Sequence, residues 1–142
     1  MKMRKSALLA IPALAFAFVL TGCTLPGPMA NFSGLPGEEQ IAGESEPDDS
    51  GLQAFWLNEG DSIAVAVSGS STCPVIGSRL NVIDPAGEGN VVEIVPVAQP
   101  ADQICTMDYV PHTTTFPTPN DVTTTEPLVV RVGDKEVTVP IK

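Results

Sequence analysis

Beyond residue 50 the sequence predicts an all-β fold, and three observations carry that expectation. Short apolar stretches are separated by Gly, Pro, Asn and Asp, several of them alternate with period two, and no window has the spacing of an amphipathic helix. Ile63, Val65 and Val67 alternate with Ala64 and Ala66, which predicts a strand with one large and one small face. Before it, residues 53–57 carry Phe55 and Trp56, and Asn58-Glu59-Gly60-Asp61 supplies turn chemistry. Residues 79–83 and 91–97 flank an Asp-Pro-Ala-Gly-Glu-Gly-Asn segment at 84–90, the pattern of a hairpin with a longer loop. Residues 128–132 and 136–141 flank Gly133-Asp134, the strongest short hairpin signal in the chain. Residues 109–116 read as a strand rich in Thr and aromatics, and Pro111, Pro117 and Pro119 confine it to a sheet edge. The expected architecture is a small Ig-like β-sandwich of about six or seven strands over residues 51–142. It departs from the immunoglobulin signature in one respect: Trp56 precedes both Cys73 and Cys105 instead of lying between them.

Upstream, residues 24–50 hold four Pro, six acids and few large apolar side chains. Such a segment buries too little surface to offset its ordering entropy, so a disordered tether is expected, with a reach of about 30 Å. Asn31-Phe32-Ser33 fits the N-glycosylation pattern, read here as coincidence.

The first 22 residues have the grammar of an export signal. Lys2, Arg4 and Lys5 precede an uninterrupted apolar run at 7–20 that is too short to span a bilayer, and Pro12 argues further against a permanent membrane helix. The run closes on Leu20-Thr21-Gly22-Cys23, which resembles the bacterial lipobox. That resemblance implies a diacylglyceryl group on the Cys23 thiol, cleavage just before it, and a lipid-anchored domain on the extracytoplasmic side of the cell membrane. Each buried methylene contributes about 0.8 kcal/mol, so two acyl chains hold where one does not. The lipid bilayer is then the first expected partner.

Beyond Cys23 only four basic residues face 17 acidic ones, a net charge of −13. That surface repels nucleic-acid phosphates and anionic lipid headgroups alike, which excludes nucleic acid and leaves membrane attachment to the anchor. Three cysteines is an odd number. Lipidation of Cys23 accounts for one and leaves Cys73 and Cys105 as a pair in an oxidising compartment. The alternative, a free reactive thiol, lacks an adjacent His, Lys or Arg to lower its pKa.

No catalytic constellation stands out. Gly69-Ser70-Ser71-Thr72-Cys73 fails the nucleophile-elbow pattern at its fifth position, and His112 is the only histidine. One His with two paired cysteines cannot close a zinc site, so no metal or cofactor is expected. Asp84, Glu88 and Asn90 are hard oxygen ligands of the kind calcium takes, but their spacing is not that of an EF-hand and is equally ordinary turn chemistry.

Phe55-Trp56, the Gly-Ser-Ser-Thr-Cys-Pro segment at 69–74 and the segment from Cys105 through Asp108, Pro111, Thr113 and Thr114 together resemble a pattern in small actinobacterial lipoproteins of no assigned activity. The resemblance spans most of residues 55–142. It implies that Cys73 and Cys105 pair and gather Ser70, Ser71, Thr72, Thr106, Asp108 and Thr113 into a polar cluster, a candidate binding patch. The blander alternative is that these groups only satisfy backbone around the crosslink. The expected function is a non-enzymatic binding or structural module for an envelope protein or glycan. The rivals are a small envelope enzyme or accessory, and a transporter-associated ligand-binding lipoprotein.

Overall fold

The computed structural model describes residues 27–142. Residues 1–26, with the leader and Cys23, lie outside the described residues. Among the described residues nine strands form two sheets: β1 Ala30–Ser33, β2 Ile41–Glu44, β3 Leu52–Leu57, β4 Ser62–Gly69, β5 Gly77–Asp84, β6 Val91–Pro96, β7 Val110–Pro117, β8 Leu128–Val132 and β9 Lys135–Val139. A five-stranded antiparallel sheet has the order β1-β7-β4-β3-β2, and a four-stranded sheet the order β5-β6-β8-β9. The β6–β8 pair is parallel. Parallel neighbours need a crossover, and here β7 is the crossover, since the chain leaves for the other sheet and returns.

The alternation along β4 sorts as its side chains require. Ile63, Val65 and Val67 join Leu52, Trp56 and Phe116 in the core shared with Val92, Leu128, Val130 and Val139 of the second sheet. Ala64 and Ala66 point the other way, to a separate cluster with Phe55 and Leu57. Close packing at the second sheet imposes glycine at Gly77, where a Cβ would stand 2.6 Å from Phe116 Cζ and 2.9 Å from Ile94 Cγ2. Both expected hairpins form: β5 and β6 pair across the 85–90 loop, and Val132 pairs with Lys135 across Gly133-Asp134.

Two expectations are corrected. Residues 24–50 were expected to be a disordered tether, and the domain to begin at 51. Instead β1 pairs with β7 and β2 pairs with β3, so residues 30–44 close both edges of the five-stranded sheet. Edge strands are held by main-chain hydrogen bonds, which composition does not register. The same pairing raises the strand count from six or seven to nine.

The second correction concerns β7, which lies inside the sheet and not at its edge. Its prolines are tolerated because β1 opposes only His112 to Thr115. Pro111 accepts from Gly34 N–H, which puts its backbone on the β1 side, and Pro117, six residues on, has the same side by strand alternation. Both missing N–H groups thus fall beyond the ends of β1.

Between β1 and β2 the chain must travel from one edge of the sheet to the other in seven residues, 34–40. The inner face is filled by the second sheet, whereas the outer face is lined by small or buried side chains, Ala64, Ala66, Thr113 and Thr115 among them. Pro36 in the crossing segment is buried as well, which places this strap over the outer face. The Thr113 hydroxyl fastens it, donating to Gly34 O at 2.6 Å. Thr113→Val keeps the shape and leaves that carbonyl without its partner, so we expect a loss of about 1–2 kcal/mol. Hydrogen exchange should quicken at Gly34 and Gln40 first; unchanged exchange there would contradict the fastening.

Candidate functional site

Two connections run between the sheets at one pole of the sandwich, residues 70–76 from β4 to β5 and 97–109 from β6 to β7. A disulfide joins them, Cys73 to Cys105, with a Cα–Cα distance of 5.5 Å. Cys73 is buried and Cys105 exposed, so the bond ties an outer loop to the body of the domain. Gln99 and Gln103 reinforce it by donating to Pro74 O at 2.7 Å and Thr72 O at 3.5 Å.

Around the crosslink five of the six expected patch residues meet. Thr72 Oγ1 accepts from Thr106 N–H at 3.0 Å, and Ser70 Oγ lies 2.9 Å from Thr106 Oγ1 and 3.2 Å from Thr72 Oγ1. Asp108 Oδ1 accepts from the Ser71 N–H at 3.0 Å and from the Thr106 hydroxyl.

Thr113 is the exception and its placement corrects the expected cluster. It lies in β7, fully buried, with its hydroxyl committed to the strap. Val110 is where the loop becomes strand, and at about 3.3 Å per residue three further positions carry Thr113 some 10 Å down the sheet.

Hydrogen bonds set the charge of the patch. The Ser71 and Thr106 hydroxyls, in that order, with the Ser71 N–H, lower the Asp108 carboxyl to about 2. A group depressed in the folded state contributes stability that is present above its unfolded value and lost as pH falls through the folded one. Asp108 should therefore leave stability flat down to about pH 4 and reduce it between about 4 and 2. Carboxyl NMR reads this directly: the Asp108 midpoint is expected near 2 and should rise on Thr106→Val, and a midpoint near 4 in the unmodified protein would contradict the geometry.

Other candidates are committed elsewhere. His112 Nε2 lies 3.1 Å from Asn31 Oδ1, and burial lowers its pKa. The Asn90 amide is buried and spans Thr123 O, Glu126 O and Pro127 O while Oδ1 accepts from Thr123 N–H, so it locks the 123–127 segment against the hairpin loop. Among the described residues no three His, Cys, Asp or Glu side chains come together as a metal site.

Sequence reasoning missed the apolar border of the patch. Ile104, Met107 and Tyr109 are almost wholly or largely exposed on the same loop. Tyr109 also closes on Gly51, where a Cβ would stand 1.8 Å from the phenol oxygen at a φ of +71°, so only glycine fits beneath it. The signal was present: three apolar residues with no alternation, interleaved with Cys105, Thr106 and Asp108.

The chain matches no protein-family model, no curated protein and no solved structure. Geometry and chemistry alone therefore bear on function.

Proposed function

We propose that this chain is an exported lipoprotein, anchored through Cys23 and related to the small actinobacterial lipoproteins whose pattern it shares. Its β-sandwich is a non-enzymatic binding module for an envelope protein or glycan. The observation that carries this is polarity. In β1, Ala30 pairs with Thr115 and Ser33 with His112, so the chain enters at the Phe116 end of the sheet. The patch lies beyond Val110 and Gly69, at the opposite end.

Only residues 24–29 separate Cys23 from β1, about 20–25 Å when fully extended. A domain held that close to the bilayer stands with its entry end toward the lipid and the disulfide patch outward. The patch offers hydroxyls, the Asp108 carboxylate, ionised at neutral pH, and exposed Ile104, Met107 and Tyr109. These can hydrogen-bond and stack against a sugar or a polar protein surface. A carboxylate with a pKa near 2 is a poor proton acceptor, which favours binding over general-base chemistry.

The test is binding of the purified protein to isolated envelope glycan and to separated envelope proteins, beside an Asp108→Ala and Tyr109→Ala double variant. Retention on one fraction, lowered about tenfold or more by the variant, is expected. Equal retention by both proteins would overturn the patch as the binding surface.

A further inference from the structure

The open edge of the four-stranded sheet at β9 borders a groove that the patch does not use. In a two-residue hairpin the pair flanking the turn, here Val132 and Lys135, exchanges both hydrogen bonds, and bonded pairs recur at every second residue. Val137 and Val139 therefore bond to β8, while Glu136 and Thr138 direct N–H and C=O away from it. No backbone hydrogen bond from another described segment reaches them. Against this strand lies a groove of about 510 Å³ lined by Glu46, Pro47 and Asp48 together with Glu136, Val137 and Thr138.

The other free edges are poorer templates. β1 and β2 have four residues each, β2 has a register shift between Ile41 and Gly43, and β5 is irregular at two places. β9 pairs regularly throughout. An extended, regular edge is what an incoming strand needs.

We propose that the β9 edge takes an extended peptide bearing Lys or Arg side chains, as a fifth strand of the four-stranded sheet. Charge chooses this occupant. Glu46 and Asp48 line one wall, and among the described residues no Lys or Arg lines the groove. Glu136 on the other wall is paired with Arg131 on the exposed face of the sheet. A second copy adding to the same edge would bring Glu46 and Asp48 against their own counterparts, which disfavours a homodimer here. Pro127 and Pro140, next to the Leu128–Val139 pair, close the groove at that end of β9.

The experiment uses the full-length protein in detergent and a blocked seven-residue peptide of alternating lysine and valine. Controls replace lysine by glutamate, or N-methylate alternate residues in the two registers so that one version loses the N–H groups facing β9. The lysine peptide should shift and protect the Glu136 and Thr138 amides. The glutamate peptide and one of the methylated versions should bind about tenfold more weakly or worse. Glu46→Lys with Asp48→Lys, both on an exposed loop, should weaken binding similarly while circular dichroism stays unchanged. Shifts confined to residues 104–109, equal binding by both methylated peptides, or oligomers formed through β9 without peptide would each overturn the proposal.

Discussion

Replacing Cys73 and Cys105 together by serine is expected to lower stability by up to about 4 kcal/mol, the largest single effect at the patch. The bond closes a loop with a sequence separation of 32 residues, and the chain entropy released to the unfolded state sets that magnitude. For a domain of this size it corresponds to a fall of roughly 10–20 °C in melting temperature. The consequence reaches beyond stability, because Thr106 and Asp108 sit on the loop that the bond tethers. Without it the Ser71 and Thr106 hydrogen bonds to Asp108 should loosen, and the Asp108 midpoint should climb toward its usual value. Thermal melts with and without reductant, paired with the carboxyl titration, measure both. A melting temperature insensitive to reductant would show that Gln99, Gln103 and the hydroxyls hold the loops unaided.

Trp56→Ala is expected to cost about 3–5 kcal/mol, because its ring is wholly buried in the core between the sheets. Trp56→Phe should cost far less than its lost volume suggests. Trp56 Nε1 is buried without a hydrogen-bond partner, a state that costs about 1–3 kcal/mol and that phenylalanine removes. Urea titration of the two variants separates the terms. A phenylalanine variant as damaged as the alanine one would show that Nε1 has a partner in solution.

Where a side chain's own periodicity decides its fate, the fold was legible. Ile63, Val65 and Val67 alternate because one face of β4 meets the core, and Gly133-Asp134 marks its hairpin because few residues accept so tight a turn. The same alternation predicted a small second face, but not what covers it. Ala64 and Ala66 lie beneath a strap whose residues look like linker, since main-chain pairing and one hydroxyl, Thr113, hold it. The proline rule failed at β7 for a related reason: it assumes a full-length neighbour, and β1 is too short to need the missing N–H groups. At the patch, residues close in sequence to the cysteines were legible as neighbours. Thr113 was not, because a strand intervenes and carries it down the sheet.

The proposed anchor places a strongly acidic domain within about 25 Å of a bilayer, patch outward, by a covalent bond to one residue. Metabolic labelling with palmitate in a bacterial host tests it most directly, with the full-length chain beside Cys23→Ala and with membranes separated from soluble fractions. The unmodified protein should take up label and sediment with membranes, and Cys23→Ala should lose both. Label persisting on Cys23→Ala, or an unlabelled chain released intact from the cell, would contradict the anchor and with it the outward presentation of the patch.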